Sequence, residues 1–194
     1  MRLSKPRIDP LEQEDANDDQ RRLIDSLKRD DGEVFNVMRT FARSPKLLNS
    51  WMGLATHIMG TSSISPRHRE ILILRVGWLT GSEYEWGQHL LMSLPAGLDE
   101  KDHRRIAEGA EADGWDAFEA QLVRAADELH RDSMIGDETW TALAKEYSEE
   151  QILDAIFTVG NYAMLALALN SVGVQREKGI PGFADCPGHR PSDC

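Results

Sequence analysis

The order of apolar and polar positions is helical along almost the whole chain. Residues 17–30 are polar, with Leu23, Ile24 and Leu27 as a thin apolar stripe. Residues 33–42 set Val34, Val37, Met38 and Phe41 at helical spacing, and Asp31-Gly32 links the two segments. Ser44-Pro45 and Ser65-Pro66 each read as an N-cap followed by proline at the first helical position. The first opens a helix carrying Leu47, Leu48, Trp51, Leu54, Ala55, Ile58 and Met59. The second opens a helix from Arg67 to about Thr80 that is almost wholly apolar after Glu70, which predicts a central position. Gly81 fits its C-terminal stop. Further helices are predicted from Ser82 to about Ser93, from Asp99 to Gly109, over 116–131 and from Asp137 to Tyr147. Ser148-Glu149-Glu150-Gln151 is a capping box that starts a last helix, running to about Val174. Strand signals are weak, because no Asn-Gly or Asp-Gly turn separates alternating apolar runs. The expected architecture is an all-α, single-domain bundle of about eight helices, with residues 152–174 buried. A polar, helical extension (1–32) is expected before the domain (33–176), and a loose tail (177–194) after it.

Composition narrows the partners. The chain has 194 residues, enough for one domain with a full core. Lys and Arg number 22 against 33 Asp and Glu, a net charge of −11, which repels nucleic acid and anionic membranes. The excess is local: residues 100–150 carry 15 acidic and 6 basic side chains, whereas residues 33–99 carry 5 and 6. Chemistry is therefore sought in the neutral segment, since clefts are mostly apolar with a few polar groups. Cys186 and Cys194 are the two cysteines, which rules out a disulfide framework, a CxxC pair and a Cys-rich zinc site. The N-terminus lacks an apolar stretch of the secretory kind, so a reducing, cytoplasmic setting is expected. The 21 residues between Asp154 and Arg176 carry no charge and could cross a bilayer by length. Thr158, Asn161, Tyr162 and Asn170 interrupt them, so the expectation is no membrane but a buried or interface helix. That much apolar helix surface predicts a homo-oligomer built on a dimer or trimer.

Candidate chemistry lies in Glu70 and the stretch Ser82-Glu83-Tyr84-Glu85-Trp86-Gly87-Gln88-His89. Glu70 begins the apolar helix, where burial would favour its neutral form. Glu85 and His89 are four apart and share a helical face, so their heads can meet. A carboxylate beside an imidazole suits acid–base work near neutral pH. Two helices folding back at Gly81 would bring Glu70 toward His89. Bland readings stand beside this one. Ser82-x-x-Glu85 is also a capping box, Glu85–His89 can be an exposed pair, and Glu70 can serve helix-start electrostatics. Ser82, Tyr84, Trp86, His57, Asn161 and Tyr162 are candidate substrate contacts. The helical spacing of the aromatics equally fits core, and His57 equally fits a satisfied core histidine. Arg75 is expected to pair with an acid or to hold a substrate carboxylate. His68, His103, His130 and His189 read as surface.

The stretch resembles the carboxymuconolactone decarboxylase and alkylhydroperoxidase D-like superfamily over roughly residues 34–176. The peroxidase branch of that superfamily has a Glu, eleven residues, then Cys-x-x-Cys-x-x-x-His. Here Glu70 is followed by eleven residues and Ser82-x-x-Glu85-x-x-x-His89, without a gap. Ser65-Pro66-Arg67-His68-Arg69-Glu70 and Asn161-Tyr162…Ala168-Leu169-Asn170-Ser171 also fit. The resemblance implies an all-helical oligomer with Glu70 and His89 as functional residues. Both cysteines are replaced, and neither Ser nor Glu can form a sulfenic acid or a disulfide. The decarboxylase side is therefore the better analogy: a cofactor-independent, metal-free lyase or isomerase acting on a small lactone or cyclic carboxylic acid through Glu70, Glu85 and His89. The alternatives are an alkylhydroperoxidase-like antioxidant protein, a metal site of Glu70, Glu85, His89 and His57, and a non-catalytic binder of small molecules.

Overall fold

A computed structural model describes residues 3–185. Among them are nine α-helices and no strand. In chain order these are α1 (Asp18–Ser26), α2 (Asn36–Phe41), α3 (Pro45–Thr56), α4 (Pro66–Leu79), α5 (Glu83–Ser93), α6 (Glu100–Glu108), α7 (Ala117–Asp132), α8 (Asp137–Glu146) and α9 (Glu149–Val172). A wide π-turn, His57–Thr61, prolongs α3, closed by the Ser62 amide on the His57 carbonyl at 2.8 Å.

α4 is the axis of the bundle and packs against α5, α6, α7 and α9. Every residue from Glu70 to Trp78 is buried, which is why its sequence shows no polar face. Ile73, Val76, Leu122, Leu143 and Val159 form the core toward α7, α8 and α9. Ile71, Leu74, Trp86, Ile106 and Val123 fill the side toward α5 and α6. Each such side chain contributes about 1.5–3 kcal/mol by leaving water. Starts follow the predicted caps at Ser65, Asp99 and Ser148, the last two as reciprocal capping boxes. Ser44 and Ser82 precede helices without capping them through their side chains. Gly81 turns the chain from α4 into α5 with φ +58°, a left-handed conformation that glycine adopts without steric cost.

The polar, helical 1–32 extension also contributes to the core, because Leu11, Ala16 and Ile24 are buried with Leu48 of α3. Two expectations need correction. The tail is not loose over 177–185: Phe183 packs edge-on to Trp78 at 5.2 Å and lies 5.9 Å from Trp86. Gly87 lets that strand of tail lie close, since a Cβ there would stand 2.2 Å from the Pro181 carbonyl oxygen. Cys186, Cys194 and His189 lie outside the described residues. Finally, α9 is buried on one face only. Leu153, Phe157, Met164 and Leu167 are each more than half exposed and fall on one stripe. α9 is long and apolar enough to cross a membrane by length and composition, while its other face packs against α4.

Candidate active site

The α4–α5 hairpin brings the first predicted pair together. His89 Nδ1 lies 2.7 Å from Glu70 Oε2, and both side chains are buried. Arg69 Nε donates to the other Glu70 oxygen at 3.1 Å and its Nη1 donates to the Met59 carbonyl. Burial alone would push the Glu70 carboxyl up, as expected from its place in the sequence. His89 and Arg69 outweigh burial, and the carboxyl is held below its ordinary value. An ionised Glu70 accepts Nδ1–H, which orients the ring and leaves Nε2 as its free nitrogen. Tyr162 meets the imidazole edge-on, with centroids 4.9 Å apart.

Glu85 behaves differently from expectation. It shares a helix face with His89, but Glu70 takes the imidazole. Nor does it close a capping box with Ser82. Its carboxyl is fully buried against α4, where a Cβ on Gly77 would stand 3.2 Å from Oε1. Neither oxygen has a hydrogen-bond partner among the described residues. Burial without a counter-charge pushes this carboxyl well above its ordinary value and favours its protonated form. Two glutamates on adjoining helices are thus shifted in opposite directions, the arrangement that divides acid and base roles.

His89 and Glu85 open on a cavity of about 140 Å³. Its wall is mostly apolar, with Met38 of α2, Ala55 of α3, Met59 of the π-turn and Leu165 of α9. Tyr162 and Tyr84, two of the candidate substrate contacts, also line it. The Tyr84 hydroxyl donates to Glu177 Oε1 at 2.8 Å, and Gln88 Nε2 donates to Glu177 Oε2. Burial, then Glu177, pushes the Tyr84 phenol up. Tyr162 is also raised, by burial first and then by Glu85 and Glu70.

Four predicted contacts do not line the cavity. Trp86 is fully buried on the other side of α5, 5.0 Å from Trp78, because α6 and Phe183 cover that face. Ser82 is fully buried and its hydroxyl has no partner. His57 is turned by the π-turn toward α9, where Nε2 meets Asp154 at 2.7 Å and Nδ1 meets Thr61 at 3.0 Å. Asn161 stands behind the wall and accepts the Trp51 indole N–H at 2.8 Å. Arg75 pairs with Asp127 at 2.6 Å and caps the carbonyls of Ile106 and Ala107. His103 is not on the surface but bonds Ser93, and His68 is half-buried on Tyr147. Sequence reasoning missed Trp51, Gln88, Arg69 and Glu177 as parts of the site. Only Arg69, adjacent to Glu70, had a local signal. No group of three His, Cys, Asp or Glu is positioned to hold a metal ion among the described residues.

Residues 45–128 match the family model of the carboxymuconolactone decarboxylase family. No curated protein sequence matches the chain significantly. Several solved structures share its fold. One, described as an alkylhydroperoxidase AhpD core, is an uncharacterized peroxidase-related protein from Ralstonia eutropha JMP134. It has a TM-score of 0.78 at 16% identity, covering 90% of this chain and 94% of that one. Another uncharacterized peroxidase-related protein, from Silicibacter sp. TM1040, has a TM-score of 0.76 at 18% identity, covering 92% and 97%. The debrominase Bmp8, as a cysteine-to-alanine variant in complex with 2,3,4-tribromopyrrole, has a TM-score of 0.71 at 17% identity, covering 90% and 94%. At such identities the likeness is one of fold.

Proposed function

We propose that the chain, whose residues 45–128 match the carboxymuconolactone decarboxylase family model and which has no thiol in the frame Glu70, Ser82, Glu85, His89, is a cofactor-independent acid–base catalyst. Its substrate is a small lactone or cyclic carboxylic acid, and the reaction is isomerisation or decarboxylation. One observation carries the reading: His89, bonded to the Glu70 carboxylate behind it, and Glu85, whose carboxyl has no partner, line one small apolar cavity. His89 Nε2 takes a proton from the carbon beside the substrate carbonyl, and Glu70 stabilises the imidazolium that forms. Glu85 gives its proton to the oxygen where charge develops, so an enol rather than an enolate is made. Return of the proton from His89 to a different carbon, with the enol proton going back to Glu85, completes an isomerisation. In a decarboxylation, loss of carbon dioxide supplies the electron pair and His89, as imidazolium, protonates the carbon. A thiol-dependent peroxidase is the less favoured reading, since no cysteine occupies the frame.

The test is exchange rather than a guessed substrate. A panel of small lactones and cyclic acids is incubated with the protein in deuterated water. Deuterium incorporation beside the carbonyl and release of carbon dioxide are followed by NMR. His89→Ala and Glu70→Gln are each expected to lower the rate by about a hundredfold or more. Exchange that survives His89→Ala unchanged would overturn the assignment.

A further inference from the structure

The cavity wall is nearly saturated in its own hydrogen bonds. Tyr84 and Gln88 are held by Glu177, the Trp51 indole by Asn161, and the Tyr162 hydroxyl by the Met59 sulfur at 3.2 Å. His89 Nδ1 is held by Glu70. The unpartnered polar groups of the wall include His89 Nε2 and the Glu85 carboxyl, a side chain 2% exposed with Oε1 against Gly77 of α4. No lysine or arginine is among the described residues of the wall. Arg69, the cation nearest in sequence to Glu70, is committed to that carboxylate and to the Met59 carbonyl. In size, 140 Å³ is close to the roughly 150 Å³ of an apolar protein cavity that binds benzene.

We propose that this cavity is a specificity pocket for small uncharged rings bearing a carbonyl group, with the Glu85 carboxyl as the hydrogen-bond donor to the carbonyl oxygen, and that it rejects carboxylates of the same size. The proposal deepens the acid–base reading and depends on it only for the identity of the site. A ring of about six non-hydrogen atoms with one substituent fills the volume. Its oxygen satisfies a buried group that otherwise has no partner, and this is how a polar group in an apolar pocket discriminates strongly. A carboxylate would be stripped of water with no guanidinium or ammonium to receive it, and would face the ionised Glu70 behind His89. Of the substrates considered above, the proposal keeps neutral lactones and discards free acids.

Benzamide and benzoate are nearly isosteric and differ in charge, and γ-butyrolactone is a neutral ring with two oxygens. Each is titrated against the full chain at neutral pH by ligand-detected NMR. The neutral probes are expected to bind at least about tenfold more tightly than benzoate. Glu85→Gln still offers an N–H and is expected to stay within about threefold of wild type. Glu85→Leu offers none and is expected to lose about tenfold. Circular dichroism checks that both variants fold. The proposal is overturned by benzoate binding as tightly as benzamide, by unchanged affinity in Glu85→Leu, or by no saturable binding of either neutral probe. No turnover is read in these titrations. Absent deuterium exchange with the expected ranking overturns the acid–base reading alone, and a reversed ranking with intact exchange overturns only the ligand class.

Discussion

Replacing Glu85 by Gln removes one proton-binding group and little else, so its effect on stability isolates the state of that carboxyl. The carboxyl is buried without a partner, and its pKa in the folded chain is raised well above the ordinary 4.5. Above that ordinary value the unfolded chain has released the proton while the folded chain still holds it. Unfolding therefore releases a proton, and the Glu85 contribution to stability falls as pH rises. The slope is about 1.4 kcal/mol per pH unit until the folded pKa is reached. Wild type should lose stability at that slope as pH rises above about 5, and Glu85→Gln should not. His68 and His103 are held below their ordinary values by burial and act with the opposite sign over part of this range. Both are common to the two proteins, so the difference between the pH profiles cancels them. Urea unfolding followed by circular dichroism measures that difference. For a denaturant slope of about 2 kcal/mol per molar urea, the midpoints should separate by about 0.7 M per pH unit while the folded chain keeps the proton. Parallel profiles would mean that Glu85 is ionised or reached by water in the folded state, and the division of roles between the two glutamates would fail with it.

Two further outcomes are expected. Asp154 is desolvated, yet His57, Ser63 and Ser62 hold its pKa down to about 2, so its contribution is complete above the ordinary 3.8 and is lost as pH falls through about 2; Asp154→Asn should flatten the acid-unfolding profile, and an unchanged profile would refute the assignment. The exposed apolar stripe of Leu153, Phe157, Met164 and Leu167 on α9 should join a second copy of the chain, so Leu167→Glu should lower the mass found by light scattering, and a wild type of about 22 kDa at micromolar concentration would refute the pairing.

Much of the fold is legible in the sequence, for a physical reason. A helix with no polar face, such as α4, can only be central, and the boxes at Asp99 and Ser148 mark helix starts by local bonds alone. The meeting of Glu70 and His89 is also legible, since a hairpin at Gly81 leaves few other places for them. What is not legible is set by packing across the bundle. Helical spacing equally allows His89 to pair with Glu85, and the approach of Gly77 and Arg69 on α4 decides for Glu70. Trp86 and Trp51 look alike as aromatics on apolar faces. The rotation of α5 and the arrival of Phe183 send Trp86 into the core and leave Trp51 at the cavity. His57 belongs to an α3 face that would approach the cavity, but the π-turn swings it to Asp154, and nothing local in the sequence marks that extra residue.

The two positions where the resembling family carries thiols are not equivalent in this fold, and that difference bears on the chemistry. Ser82 is fully buried before the first turn of α5 and does not line the cavity, whereas Glu85, one turn on, does. A dithiol cycle needs both positions to exchange electrons with one another and with a substrate. A proton-transfer cycle needs only one of them at the ligand, provided that a second group of opposite character stands nearby. Glu70, from the other arm of the hairpin, and His89, one turn further along α5, supply that second group; His89 and Arg69 favour the charged form of Glu70 as burial favours the neutral form of Glu85. The same frame can therefore lose its redox chemistry without losing a pair of matched groups, because the match is made by environment rather than by residue type.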